Sequence, residues 1–347
     1  MPELVFRVLA FGAGAFLVAT TVLAAIQSFV LPRNESARLN TWVFRAVRWA
    51  FEAMASLGRT YSQRDKVMAL YAPVGLVTLP IVWLTVVSVG FTAIFWALDE
   101  GDLVRCYRIS ASSLLTIGAD EPTEGLVASI MSYAEATLGL LLLTLLISYL
   151  PTMYQAFSRR ELTVARLELR AGAKASAVEL LLWLNRTGSL QDDSDQWKDW
   201  EEWFVEIEET HTSLAILAFF RSPQPGRSWV TAADVILDAA ALISSTVAQP
   251  RDPHLVLCFK AGCVAINRVA RYFQYEADVE VTDTSGVAPD EPQRHDFGLA
   301  CQQLQTAGIV LREEQAAWEQ YMELRSRYAG AIAYLARLTM APEIKSI

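Results

Sequence analysis

The sequence predicts an all-α membrane protein in two parts. Three transmembrane helices, with a short re-entrant helix and its loop between the second and third, precede a cytosolic bundle of α-helices. Three observations carry this expectation. Apolar residues make up 53% of the 347 positions, and they crowd into the chain ahead of Leu150. Three runs there approach or exceed the roughly 20 apolar residues that cross a ~30 Å hydrocarbon core. Beyond Arg160 apolar and charged positions alternate at helical spacing, as in amphipathic helices around a shared core.

Residues 1–32 form the first transmembrane helix. Leu4 to Leu31 carries Arg7 as its only charge, and at 1.5 Å per residue it reaches about 40 Å. A cleaved signal peptide is the alternative, but the run is too long and no basic region precedes it. Residues 33–66 then carry Arg33, Arg38, Arg45, Arg48, Arg59, Arg64 and Lys66. Trp42, Val43, Val47, Trp49, Ala50, Phe51, Met54 and Leu57 recur among them at helical spacing, so this is an amphipathic helical linker. Its basic excess places it in the cytoplasm and the N-terminus outside.

Residues 67–160 hold the remaining spans. Leu70 to Leu98 contains Pro73, Gly75, Pro80 and Gly90, which membrane helices tolerate when neighbours satisfy the freed backbone groups. It leads to Asp99, Glu100 and Asp102 on the outer side. Leu103 to Leu115 offers about three helical turns, too short to span and suited to a re-entrant helix. The third span, Gly125 to Leu150, returns the chain to Arg159, Arg160 and Arg166 in the cytoplasm.

Between the re-entrant segment and the third span the chain runs from Ser110 to Glu121. Ser110, Ser113, Leu114, Thr116, Ile117 and Gly118 sit there in the order of a pore loop. Over roughly Pro73 to Glu161 the chain resembles the potassium-channel superfamily. The resemblance implies a pore domain at 67–160, built of outer helix, pore helix, filter and inner helix, in a homotetramer around one axis. Thr116, Ile117, Gly118, Ala119 and Asp120 would then be the ion filter, whose inward carbonyls replace the hydration shell of a cation. Ser112 and Ser113 would support it from the pore helix. Gly139 would be the inner-helix hinge and Pro151 would bend the helix near an inner gate.

The chain departs from the family at Ala119, Asp120 and Glu121, where the signature reads Tyr-Gly-Asp. The lower ion sites can be built and the upper ones cannot. This predicts weak potassium selectivity or a non-selective cation pore, with K+ or Na+ as the permeant ion. Asp120, Glu121 and Glu124 would ring the outer mouth and could hold divalent ions. Glu135 lies about 15 Å into the third span, where a charge is costly unless it is paired or hydrated. It is expected to bond Ser112, Ser113 or the filter backbone, with Arg105, Arg108 or interfacial water as the plainer partners.

Residues 161–347 read as the cytosolic helical domain. Helices are expected at Leu162 to Leu184, continuing the inner helix, and from Trp197 through Trp200, Phe204 and Ile207 to Phe220. Pro223, Pro225 and Gly226 break the second. Ser228 to Val247 and His254 to Tyr275 give two more, Ala277 to Asp296 a loose linker, and Phe297 to Leu338 one long helix. That last helix places Tyr321, Leu324, Tyr328, Ala331, Leu335 and Leu338 on a three-four repeat suited to self-association.

The four cysteines (Cys106, Cys258, Cys263, Cys301) and three histidines (His211, His254, His295) show no metal spacing. The acidic face from Asp192 to Glu209 lacks calcium-loop spacing. Neither a nucleotide fingerprint nor a catalytic constellation is present, so neither an enzyme nor a bound cofactor is expected. A formal charge of −9 without a basic patch argues against nucleic acid. The expectation is a homotetrameric cation channel of the plasma membrane, embedded in the bilayer, gated or assembled by a helical domain whose cytosolic ligand or partner the sequence does not name. The alternative is a non-conducting, membrane-anchored signalling or scaffold protein with a pore-like fold.

Overall fold

The structure, a computed structural model, describes residues 2–30, 38–58, 60–123, 125–172, 175–192, 194–224, 226–250, 252–274 and 291–342. Helices are the only regular elements among them, apart from a single antiparallel bridge between Val247 and Leu311. The chain forms two compact units, Met1–Gln155 and Ala156–Ile347. Four helical stretches are long and apolar enough to cross a membrane: Glu3–Ser28, Gln63–Ala97, Leu126–Ala171 and Trp229–Thr246.

The first unit contains α1 (Pro2–Val30), α2 (Arg38–Ser56), α3 (Tyr61–Ala69), α4 (Tyr71–Ala97), α5 (Leu103–Leu114) and the start of α6 (Leu126–Ala171). The expected linker helix is two helices. Gly58 lies at the break, and Thr60 caps α3 by accepting from the Gln63 amide. α1 and α4 cross where glycine meets glycine. A Cβ on Gly14 would lie 2.4 Å from the Gly90 carbonyl oxygen, and one on Gly90 would lie 2.8 Å from Val18 Cγ2. Backbones in such contact gain dispersion that lipid tails do not outcompete. Buried Asn40 on α2 joins the pair: its Nδ2 donates to the Ala24 carbonyl at 3.2 Å, and its Oδ1 accepts from Trp83 Nε1 at 3.0 Å.

The second unit takes the rest of α6, then α7 (Ala177–Thr187), α8 (Ser189–Asp192), α9 (Ser194–Ser213), a 3-10 turn (Ala215–Phe219), α10 (Trp229–Thr246), α11 (Pro253–Tyr272), α12 (Glu291–Thr306), α13 (Glu314–Ser326) and α14 (Ala329–Thr339). α10 is apolar nearly all round because the bundle encloses it. Its window is 89% buried, against 22% for the α1 stretch and 17% for α6. α7, α11, α13 and α14 pack on it, so α10 is the core of a helical bundle. Asp238 at its centre accepts from Arg325 Nη1 through both oxygens, at 2.8 and 2.7 Å, and from the Tyr328 hydroxyl.

Three expected helices end early, each for a local reason. α6 stops at Ala171 because Gly172 turns left-handed with φ +80°, so Leu162 to Leu184 is not one helix. The Trp197 to Phe220 helix ends at Ser213. Arg160 takes the carbonyls of Leu217 and Phe220 at 2.9 and 2.7 Å, and the chain between them tightens into the 3-10 turn. The long helix from Phe297 is three helices. Gly308 at φ +84° ends α12, and Ala248 and Arg312 exchange backbone bonds with Val310 and Thr246 across the gap. α12 itself begins at Glu291, inside the expected linker, whose residues 277–290 lie outside those described.

The glycine crossing gives an internal control. Gly14→Val should destabilise the protein in detergent by about 1–3 kcal/mol through overpacking. Gly12→Val, at a position with nothing within 4 Å, should leave the melting temperature unchanged. Equal effects in thermal denaturation would show that the α1–α4 contact does not depend on Gly14.

Candidate functional site

The site is built at the C-terminal end of α5. Asp102 starts this helix by accepting from the Arg105 amide at 3.0 Å, and Leu115 ends it. Twelve residues give it two faces. Cys106, Ile109, Ser110, Ser112, Ser113 and Leu114 are buried, while Leu103, Val104 and Tyr107 are exposed. Its last turn winds into the loop, with the Thr116 amide on the Ser113 carbonyl at 3.0 Å and the Ile117 amide on the Ser112 carbonyl at 2.9 Å.

Leu115 to Ala119 is exposed. Thr116 has φ +55° and Gly118 has φ +69°. Glycine adopts this region freely, but for a β-branched threonine it is an outlier that costs about 1–3 kcal/mol. Three groups hold the loop in place. The buried Ser112 hydroxyl accepts from the amides of Ala119 and Asp120 at 2.9 and 3.0 Å. Arg108 grips Asp120 with two nitrogens, at 3.2 and 3.0 Å. Buried Glu100 accepts from both the amide and the hydroxyl of Thr123 at 2.7 Å. Glu121 is exposed, and Glu124 lies outside the described residues.

Behind the loop a polar chain joins three helices. Ser110 Oγ on α5 donates to Glu135 Oε1 on α6 at 2.5 Å, and the Ser88 hydroxyl on α4 lies 3.0 Å from Ser110 Oγ. Glu135 is fully buried, and its Oε2 has no partner. Ser113 pairs with Ser132 at 2.7 Å. Sequence reasoning offered Ser112, Ser113 or the filter backbone as partners of Glu135, with Arg105, Arg108 or interfacial water as the plainer reading. Its partner is Ser110, because Ser112 turns to the loop amides, Ser113 to Ser132 and Arg108 to Asp120. Gly139 and Pro151 both lie within unbroken α6. At Gly139 a Cβ would stand 2.0 Å from the Leu114 carbonyl oxygen, so the missing side chain lets α6 touch the end of α5.

The sequence reading missed Ser88, Ser132, and the loop-holding roles of Glu100 and Arg108. Ser88 carried a signal, as a hydroxyl within the second apolar run. Glu100 and Arg108 carried none, because their partners are 23 and 12 positions away in irregular chain. Among the described residues no group of three His, Cys, Asp or Glu could hold a metal ion.

Ser112→Ala removes the acceptor of the Ala119 and Asp120 amides, at about 0.5–1.5 kcal/mol for each bond. Amide exchange at Ala119 and Asp120 should accelerate roughly tenfold or more by mass spectrometry, while Ser132→Ala leaves it unchanged. Unaltered protection in the Ser112 variant would mean that other groups hold the loop. No protein-family model matches the chain, and no curated protein and no solved structure is similar to it.

Proposed function

We propose that four copies of this chain assemble around an axis into a plasma-membrane cation channel with weak potassium selectivity or none. One observation carries the reading. Thr116, a β-branched residue, is held at φ +55° on an exposed loop tip at the end of a short helix seated between two membrane-length helices. Strain held in place by surrounding bonds points to a working backbone. The alternation of left-handed Thr116 and Gly118 about Ile117 suits carbonyls that turn to one side, as a ring of filter strands requires. The C-terminal dipole of α5 favours a cation beyond Thr116.

The exposed apolar faces fit both lipid and neighbouring copies. On α6 they comprise Leu126, Val127, Ile130, Tyr133, Leu140 and Ile147, a surface too large for a water-facing monomer. In this reading Gly139 and Pro151 shape the inner helix, the N-terminus lies outside, and the helical second unit is cytoplasmic. Asp120 enters the mouth already compensated by Arg108. The uncompensated attraction for K+, Na+ or a divalent ion then falls on Glu121. A second reading, a non-conducting membrane scaffold, draws on the Thr116 and Ile117 amides bonded back to α5, which shorten the extended strand.

Purified protein in liposomes should pass K+ and Na+ at comparable rates. Gly118→Val and Thr116→Val should each abolish flux without altering a fourfold assembly. Arg108→Gln, which uncovers Asp120, should raise cation flux. No conductance together with a non-fourfold particle would defeat the channel reading. Tolerance of both filter substitutions would favour the scaffold.

A further inference from the structure

The second unit contains a cavity of about 490 Å³ lined by Asp234, Gln293, Arg325, Arg337 and an apolar wall that includes Ile332 and Met340. That volume falls in the range of small-molecule sites, which combine an apolar lining with a few convergent polar groups. Asp234 is only 2% exposed, lines the cavity and makes no hydrogen bond or ion pair among the described residues. It sits one turn before Asp238 on α10. Arg325 Nη1 is taken by both oxygens of Asp238 and by the Tyr321 hydroxyl. Its Nε and Nη2 make no hydrogen bond among the described residues. Arg337, on α14, is exposed and unpaired where it lines the cavity.

The lining therefore holds a buried carboxyl and guanidinium nitrogens that make no direct hydrogen bond among the described residues, with apolar surface for a hydrocarbon group. We propose that this cavity binds an α-amino acid with an apolar side chain. The ligand's ammonium bonds Asp234, its carboxylate meets the free nitrogens of Arg325 and Arg337, and its side chain lies against Ile332 and Met340. A ligand carrying one charge would satisfy one end and leave the other unpaired.

The charges around Asp234 set the pH dependence. It faces Asp238 on its own helix, Tyr321 and Arg325 on α13, Tyr328 at the start of α14, and Arg337. Burial and the Asp238 charge hold the empty-site Asp234 carboxyl well above the usual carboxylate range. A bound ammonium favours the ionised form, so binding releases a proton and affinity rises with pH through neutrality.

Isothermal titration of the full chain in detergent tests this, with leucine, isopentylamine and isocaproate as probes. Leucine should bind, releasing about one proton as read from two buffers of different ionisation heat. Each half-ligand should bind about tenfold or more weakly. Asp234→Asn should weaken leucine binding and remove the proton release. Arg337→Gln, on an exposed side chain, should weaken leucine and isocaproate but not isopentylamine. No heat with leucine, a half-ligand that equals leucine, or leucine binding that survives both substitutions unchanged would overturn the proposal. The readout is independent of ion conduction.

Discussion

The hydrogen bond from Ser110 to Glu135 is the constraint on which the first unit depends. In hydrocarbon the hydrophobic effect does not hold one helix against another, since lipid is as apolar as leucine. If the first unit lies in a bilayer, as proposed, a helix as short as α5 needs polar bonds and close backbone contact to keep its place. Ser110, with Ser88 beside it, ties α5 to both α4 and α6, and Gly139 lets α6 come against the Leu114 carbonyl. The carboxyl that makes the bond has no exposure, and one of its oxygens is unpaired. Such a group costs free energy, and positioning is the return the structure offers for it.

A fixed α5 allows a fixed loop. Ser112 is two residues from Ser110 and so faces away from α6, toward the chain that follows the helix. It closes on Ala119 and Asp120, and Arg108, one turn earlier, closes on the Asp120 carboxylate. The exposed Arg108 pair contributes only about 0.2–1 kcal/mol. The two bonds to the buried Ser112 hydroxyl contribute more, at about 0.5–1.5 kcal/mol each. Together with Glu100 on Thr123 they over-determine the positions flanking Thr116, as a strained residue requires. Without an aromatic after Gly118, support comes from a hydroxyl and a guanidinium on α5.

Much of this was legible in the sequence where periodicity or polarity stood out. The membrane-length runs, the brevity of α5 and the oddity of Glu135 all followed from counting residues against bilayer dimensions. The partner of Glu135 did not follow. Choosing Ser110 over Ser112 or Ser113 depends on the rotation of α5 about its axis, and three serines in four positions leave that rotation unspecified. Gly139 illustrates a different limit. A glycine within an apolar helix reads equally as a hinge or as a close approach, and the approach shows only once the Leu114 carbonyl is placed against it. The breaks after Ala307 and Ser326 were hidden because the apolar spacing continues across them. At the first break Gly308 turns the chain and the end of α10 then holds it at Val310 and Arg312; at the second, Asp238 holds Tyr328.

The two units treat buried acid in contrasting ways. Asp238 is saturated by Arg325 and Tyr328, and removing one partner of such a pair costs about 3–5 kcal/mol although the pair itself adds little over an apolar core. Glu135 is half satisfied, and Asp234, 2% exposed, makes no hydrogen bond or ion pair among the described residues. Stability gives no reason for either: an apolar side chain of similar shape would spare about 1–3 kcal/mol of desolvation in each place. Glu135 Oε2 is also shut off from solvent. The geometry differs in what surrounds them. Glu135 lies on α6 against α5, its open oxygen is buried, and its bond reaches the loop through Ser110 and α5. Asp234 opens on a cavity whose other walls carry guanidinium and hydrocarbon. An unpaired acid in a closed interior constrains structure, whereas one at a chamber lined with complementary groups leaves its bond to be made by a ligand.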